Sequence, residues 1–301
     1  MRDLSGGVSL LELLSVPGQN LATVQKAIEE GADVNKTSAH GFTPLMFAAI
    51  LNDDPDLVRA LLLNGADVNA ETHEGMTALM WALLTETYDH TATNRPEALK
   101  KEENRRNTAM ELIRCGADVN AVCYSSNRER WTPILFATLD PDRNISLISE
   151  LVAAGAGVNV RTKEGITPLM HASAYGRSSD VVRELLSAGA DVNAQSKQEG
   201  RQGWTPLLYA LASPHRNVAV VKELVLGGKA EVGVVAQNGS TPLLLAVNFE
   251  DDPAFVQLLL SAGADPSARD KDGNSPLDCA RAKRYVRIAN LLSKAEKLRK
   301  K

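Results

Sequence analysis

The sequence predicts an all-α fold built as a repeat array, and three observations support this prediction. One heptapeptide recurs seven times along the 301 residues, and a second motif, Gly-Ala-Asp-Val-Asn, recurs out of phase with it. Apolar residues make up 44% of the chain and aromatic residues only 4%, so Leu and Ala must supply most of the core, which favours packed helices. Self-similarity at a spacing of about 20–50 residues is typical of arrays whose units pack against their neighbours.

The heptapeptide predicts the start of a helix in every unit. It begins at Thr43, Thr77, Thr132, Thr167, Thr205, Thr241 and Ser275, at intervals of 34, 55, 35, 38, 36 and 34 residues. Its hydroxyl can cap free backbone N–H groups, and the Pro that follows in six of the seven copies is tolerated in the first turn. The small residues near its end allow this first helix to lie close to its neighbours.

The second motif predicts the end of a second helix. Segments such as 57–63 and 181–186 are apolar at helical spacing, and a Gly follows each of them. Such a Gly can end the helix in a left-handed C-cap. The motif begins at Gly31, Gly65, Gly116 and Gly189, and in weaker form at Gly155 and Gly263.

Together these motifs resemble the ankyrin repeat over about residues 8–295. The resemblance implies a slightly curved solenoid of helix-turn-helix units with projecting hairpin-like loops. The half-unit 10–35 keeps the second helix and lacks Thr-Pro-Leu, as a cap would. We expect a single array over 1–301, with an N-terminal cap at 1–35, repeats at 36–70, 71–121, 122–159, 160–193, 194–232 and 233–267, and a C-terminal cap with a basic tail at 268–301.

One interval is longer than the others because it contains about 20 extra residues, roughly 86–107, between two helices of one unit. The segment from Pro96 is rich in helix formers and has Pro at a helix start. We therefore predict that the second helix of this unit begins near Pro96 and runs to about Cys115. The insertion is interpreted either as a solvated charged extension or as a specific docking feature.

Two loops between repeats are lengthened as well. The distance from the motif Asn to the next Thr is 8 residues in three units, but 12 residues from Asn120 to Thr132 and from Asn193 to Thr205. The additions lie in 125–130 and 196–202. Longer loops beside a binding face often carry recognition, and neutral variation of an exposed loop explains them equally well.

The residue pattern contains no catalytic or metal-binding motif and predicts no cofactor. The five His residues are spread over four repeats, and phosphate-binding and nucleophile-elbow motifs are absent. The acidic clusters 53–56 and 250–253 are interpreted as helix caps, because Asp54 and Asp252 each precede a Pro and the calcium-loop spacing is missing.

Charge and hydropathy disfavour nucleic acid and membrane partners. The net charge is −4, and apolar runs fall short of the 18 or so residues of a membrane helix. Three Cys residues favour a reducing compartment, so we expect a cytoplasmic protein. The segment from Arg281 onward contains nine Lys or Arg residues and one acidic residue. This composition suits a solvated end cap or, alternatively, a contact with anionic lipid or nucleic acid.

Bulky apolar residues occupy two repeat positions. The first is the fifth residue of the heptapeptide, where we expect core packing: Phe47, Trp81, Phe136, His171, Tyr209, Leu245 and Cys279. The second position immediately precedes the Thr, and its five bulky members are named the pre-Thr ladder: Phe42, Met76, Trp131, Ile166 and Trp204. In ankyrin repeats side chains at this position point toward the concave face. The ladder is therefore predicted to be an exposed binding stripe, with packing of the hairpin stem as the alternative.

The predicted function is a non-catalytic scaffold that binds a protein partner on its concave face. A monomer is expected, and the alternative is that a second copy of the chain fills the apolar groove. The pre-Thr ladder would supply apolar anchors, Ile50, Leu84 and Leu139 would extend them along the first helices, and Arg128, Lys163, Glu164 and Arg201 would form the polar rim. The alternative is a regulatory or effector subunit that acts through the helical excursion at 86–115.

Overall fold

The structure is a computed structural model that describes residues 9–51, 54–84, 95–248 and 252–299, without the side chains of 95–99. The first nine residues of the predicted insertion, 86–94, together with Asp53, Glu250, Asp251, Lys300 and Lys301, lie outside the described residues. Within the described residues the fold is all-helical, and a single isolated bridge joins Cys123 and Trp131.

The helices alternate between a first and a second helix of each repeat. In chain order they are α1 (Leu10–Leu14), α2 (Leu21–Glu29), α3 (Pro44–Leu51), α4 (Pro55–Leu63), α5 (Ala78–Leu83), α6 (Arg95–Arg114), α7 (Pro133–Ala137), α8 (Ile145–Ala153), α9 (Pro168–Tyr175), α10 (Asp180–Ser187), α11 (Pro206–Ala212), α12 (Val218–Lys222), α13 (Pro242–Val247), α14 (Pro253–Ser261), α15 (Pro276–Ala282) and α16 (Val286–Arg299). A short π-helical segment, Glu223–Gly227, continues α12.

The predicted caps form at five of the seven first helices. The Oγ of Thr43, Thr77, Thr167, Thr241 or Ser275 accepts from the backbone N–H three residues later. Thr132 and Thr205 differ, because their buried hydroxyl groups have no hydrogen-bond partner. These two residues follow the lengthened loops. The predicted caps Asp54 and Asp252 are confirmed, since each accepts from the N–H two residues on.

The second helices end as the Gly motif predicts. At Gly65 and Gly189 the φ angles are 86° and 87°, a left-handed conformation that costs Gly little. The repeat that has lost the motif ends differently. Its helix widens into the π-helical segment, and Lys229 takes the left-handed conformation with φ 57°. The wider turn therefore accommodates a divergent sequence at the same point of the repeat.

Side-chain amides join successive turns. Asn35 Nδ2 donates to the Gly65 carbonyl at 2.8 Å, and its Oδ1 accepts from the Asp67 N–H at 2.8 Å. The same pair of bonds, named the asparagine clasp, is made by Asn69, Asn120 and Asn159. Because each clasp satisfies a backbone donor and a backbone acceptor of the following turn, it fixes the spacing of neighbouring repeats.

The chain forms two compact units. One comprises the residues up to Ala137 together with Ser146–Gly157, and the other comprises Thr138–Ile145 and the residues from Val158 onward. Each has its own core of fully buried aliphatic side chains, represented by Leu45, Leu61 and Leu79 in the first unit and by Leu169, Leu185 and Leu207 in the second. The division into caps and repeats at the residues given above stays a prediction.

The first unit shows one agreement with the sequence analysis and one difference from it. Helix α6 spans twenty residues and confirms the long second helix that Pro96 predicted. The N-terminal half-unit, however, contains a first helix as well, α1, although it lacks Thr-Pro-Leu. Leu10 and Leu14 are buried, so burial of one apolar face holds this short helix where the capping motif is missing.

Candidate functional site

The pre-Thr ladder lies at the base of the loops between repeats. In the short loops, the carbonyl of the ladder residue accepts from the N–H four residues earlier, as in Ser38 to Phe42 at 2.9 Å. In the lengthened loops the same bond spans eight residues, from Cys123 to Trp131 at 2.8 Å and from Ser196 to Trp204 at 2.9 Å. The ladder residues are thus part of the hairpin stems.

The structure corrects the expected exposure of this ladder. Met76, Ile166 and Trp204 are 3%, 8% and 6% exposed, so they are buried and not open to a groove. Phe42 and Trp131 are half-buried. The physical reason is the stem geometry, because a side chain at the base of a loop turns onto the adjoining first helix.

The fifth heptapeptide position is also corrected in part. Phe136, His171, Tyr209 and Leu245 are buried, as expected for core residues. Phe47 and Trp81 are instead half-buried, and so is Cys279. His171 Nδ1 lies 3.3 Å from Thr138 Oγ1, a polar contact that allows an imidazole at a buried position.

Three rings gather on the first unit. Phe42 lies 5.3 Å from Phe47 in a stacked arrangement and 5.3 Å from Trp81 in a tilted one, measured between ring centroids. These three residues are named the aromatic cluster. Ile50 and Leu84, also half-buried, follow Phe47 and Trp81 by three residues at the ends of α3 and α5. Trp81 Nε1 has no hydrogen-bond partner.

The lengthened loop of the first unit adds a cation to the rings. The guanidinium carbon of Arg128 lies 5.9 Å from the Trp131 ring centre and 5.6 Å from that of Phe136. The two rings are themselves 5.2 Å apart, edge to face. Arg128 is half-buried, so the predicted rim residue packs on the rings and is not a free loop tip.

The lengthened loop of the second unit repeats this arrangement. Arg201 lies 4.8 Å from the Trp204 ring centre and 5.4 Å from that of Tyr209, and the rings are 5.4 Å apart. Tyr209 Oη donates to Gln198 Oε1 at 2.8 Å. Burial raises the pKa of the Tyr209 hydroxyl, which therefore stays protonated as a donor. We name these two sets of residues the arginine-capped clusters. The 12-residue spacing from Asn to Thr was the sequence signal for them.

The remaining predicted site residues lie on the second unit. Lys163 and Glu164 are exposed at a short loop, where the Glu164 carbonyl accepts from the Lys197 N–H at 2.7 Å. Leu139 is half-buried after α7. The structure thus brings together Phe42, Phe47 and Trp81 in the first unit and places Ile50 and Leu84 at the ends of the helices that carry Phe47 and Trp81. It buries Ile166 and Trp204 in the second unit.

Titratable groups in the described part of the chain serve structure. No group of three or more His, Cys, Asp or Glu among the described residues could hold a metal ion. Burial raises the pKa of the Cys123 and Cys279 thiols, and both residues are free cysteines. The hydrogen bond from Ser275 lowers the pKa of Asp278 in the capping box of α15.

The basic C-terminal segment is largely helical. From Val286 to Arg299 it forms α16, which buries Ile288 and Leu292 and pairs Arg299 with Asp265. Most of its Lys and Arg side chains are exposed. No helix in the described ranges is long and apolar enough to cross a membrane.

Known proteins share the repeat pattern. The family described as ankyrin repeats (3 copies) matches residues 13–92, 98–196, 142–227 and 207–301. The chain is 32% identical over 181 residues to the putative ankyrin repeat protein YahD of Escherichia coli (strain K12), which covers 59% of this chain and 84% of that protein. It is 31% identical over 223 residues to the human mitochondrial disaggregase, which covers 69% of this chain but 27% of that protein.

The matches and the geometry agree. The family matches extend over most of the chain, and the structure shows paired helices, Thr-Pro helix starts and asparagine clasps along the same residues. The chain therefore belongs to the ankyrin repeat family.

Proposed function

We propose that this chain is a non-catalytic scaffold that binds a protein partner on the surface made by its first helices and loops, and that the aromatic cluster is a main contact. Ankyrin repeats in general are protein-interaction scaffolds and are typically non-catalytic. The observation that supports this particular surface is the half-exposure of three adjacent rings, Phe42, Phe47 and Trp81, in the first unit.

Physical chemistry supports such a role for the rings. Half-exposed aromatic side chains on rigid helices lose little conformational freedom when a partner covers them, and Trp is enriched among residues that dominate binding energy. The indole N–H of Trp81 is buried without a hydrogen-bond partner among the described residues, so the exposed part of the ring, and not its N–H, would contact the bound protein. Ile50 and Leu84 extend the apolar contact.

The other predicted residues take different parts in this proposal. In the first unit Trp131 is half-buried and available for partial contact, with Arg128 as its polar neighbour. In the second unit Leu139 is half-buried, and Lys163, Glu164 and Arg201 are exposed polar residues. Met76, Ile166 and Trp204 are buried, so they support the loops from beneath. A cytoplasmic location and a monomeric state stay predictions.

The test compares capture of proteins from a host lysate by the wild-type chain and by a Phe42→Ala/Trp81→Ala variant. The proposal expects a captured protein whose affinity falls at least about tenfold in the variant, as for loss of anchor residues. The matched control is Leu63→Ala, because Leu63 is an apolar residue 80% exposed at the end of α4. Equal capture by all three proteins would contradict the proposal, provided that far-UV circular dichroism shows unchanged helicity.

The alternative function uses the excursion at 86–115. Its described side chains from Lys100 to Asn107 are exposed or half-buried, whereas Thr108, Ala109 and Leu112 are buried. The described side chains of α6 before Thr108 therefore lie outside the core. Deletion of 86–107 distinguishes binding through the aromatic cluster from binding through this excursion. Under the alternative the deletion abolishes capture and the Phe42→Ala/Trp81→Ala variant retains it.

A further inference from the structure

The two lengthened loops place an arginine in the same way. Arg128 and Arg201 each stand four residues before the Thr that starts the first helix. Each guanidinium lies within 6 Å of the pre-Thr Trp ring and of the aromatic ring at the fifth heptapeptide position, within its own unit. Two loops of different sequence thus produce one local arrangement.

Neither guanidinium is neutralised within the described chain. Among the described residues no carboxylate pairs with Arg128 or Arg201. The ion pairs of the described residues involve Lys26, Arg59, Arg143, Arg161, Arg183, Arg269 and Arg299. Arg201 also contacts the Tyr209 hydroxyl, which is a neutral group. A guanidinium stacked on a ring keeps N–H donors at its edge, where a carboxylate can accept two of them at once.

The loops that carry these arginines are accompanied by features that lower the stability of the fold. The hydroxyl groups of Thr132 and Thr205 are buried without a partner, whereas the equivalent hydroxyls after the short loops cap their helices. In the first loop, Arg130 has φ 66° at a position where the other repeats have Gly. Unsatisfied polar groups and left-handed non-Gly residues cost free energy, and such features cluster at functional sites.

We infer that Arg128 and Arg201 are each a receptor for a carboxylate side chain, one in each unit, so that an acidic segment of the protein partner binds at each lengthened loop. This inference rests on the proposed function, because it names the chemistry of the same partner. Isolated carboxylates suit these loops better than a polyanion, since Glu129 and Glu199 stand beside the arginines and the loop surface is close to neutral. Stacking holds each guanidinium in place before the partner arrives, which lowers the entropy cost of binding.

The experiment selects peptides on the full-length chain and then measures single variants. A phage library of random dodecapeptides is selected at physiological salt, and the enriched peptides are synthesised for fluorescence anisotropy. We expect the peptides to contain Asp or Glu, and each peptide to bind at least about tenfold more weakly to the variant of the loop that it occupies, either Arg128→Gln or Arg201→Gln. Arg128→Lys and Arg201→Lys should also weaken binding, because an ammonium cannot stack and donate as a planar fork.

The controls remove the same charge nearby. Arg130→Gln and Lys197→Gln lie on the same two loops, and neither side chain covers the rings of the arginine-capped clusters. Binding that falls equally in these controls reflects only the general field and overturns the inference, as do enriched peptides without acidic residues or preferential binding of an oligouridylate through the same arginines. Circular dichroism confirms that every variant is folded.

The same assay distinguishes the two proposals. If peptides bind wild-type protein, fail to bind Phe42→Ala/Trp81→Ala and are insensitive to the arginine variants, the proposed function stands and the carboxylate receptors are wrong. If no peptide is enriched on the wild-type chain, both proposals are contradicted.

Discussion

The aromatic cluster of the first unit and the arginine-capped cluster of the second occupy the same two repeat positions, yet they differ in exposure. Phe42, Phe47 and Trp81 are half-exposed, whereas Trp204 and Tyr209 are buried. The longer loop before Trp204 brings Arg201 over both rings and provides Gln198 as an acceptor for Tyr209. A repeat position thus determines where a ring lies. The lengthened loop covers both rings in the second unit but leaves Trp131 half-buried in the first, so the sequence of the loop, and not its length alone, determines how far a ring is covered.

The largest expected effect is the loss in free energy of unfolding when one ring is removed from each of these two clusters. Trp204→Ala should lower the free energy of unfolding by about 3–5 kcal/mol, because it leaves a cavity beneath Arg201. Phe42→Ala should cost about 1–2 kcal/mol, because part of its ring is already in water. Urea unfolding followed by far-UV circular dichroism measures both, and equal losses would show that exposure does not separate the two clusters.

A smaller effect with opposite signs is expected at the Thr that follows each loop type. Thr167 and Thr205 are both 2% exposed, but only Thr167 accepts a capping hydrogen bond, from the Met170 N–H at 3.3 Å. Thr167→Val should therefore destabilise by about 1 kcal/mol. Thr205→Val should be neutral or stabilising, because it removes a buried hydroxyl without a partner. The pair is measured by thermal unfolding, and a loss at both positions would mean that Thr205 has a satisfied hydroxyl in solution.

The smallest effect tests a polar contact that involves no ring. A hydrogen bond from Arg59 lowers the pKa of Glu111 below its ordinary value of 4.5. Because the folded-state pKa is depressed, this contribution to stability is present above pH 4.5 and is lost as the pH falls through the folded-state pKa. The stability difference between wild type and Glu111→Gln should shrink on acidification, and it should be small, as for other exposed ion pairs. Urea midpoints at pH 7 and about pH 3 measure it, and a pH-independent difference would contradict the assignment to Arg59.

Much of the fold could be predicted because its signals are local. A Thr before Pro, a Gly after an apolar helix and a run of helix formers after Pro96 all act within a few residues. Helix α1 escaped prediction because it has no capping motif and is held by burial of Leu10 and Leu14. The absence of capping hydrogen bonds at Thr132 and Thr205 was not predicted either, since the loop before a Thr changes the geometry of that Thr without changing the motif.

The candidate site was less predictable, because the burial of a side chain depends on residues that are distant from it in the sequence. The periodicity placed Trp204 and Phe47 at named repeat positions, but it could not show that Trp204 is buried and Phe47 half-exposed. Arg128 and Arg201 were recognised as charged loop residues. Both stand four residues before the following Thr, and this shared spacing was the sequence signal for their stacking on the rings. The spacing becomes visible only when the two loops are aligned on the Thr.

The asparagine clasp has a consequence for how this chain can change its length. In the described residues each clasp joins one turn to the next before the chain enters the variable stretch that leads to the following Thr. In the sequence, the insertion at 86–107 comes after the heptapeptide that begins at Thr77. The chain is therefore lengthened at two kinds of place, before the heptapeptide Thr and between the two helices of a repeat, and neither interrupts a clasp. A designer could transplant recognition loops into these two places while the backbone register of the array is inherited unchanged.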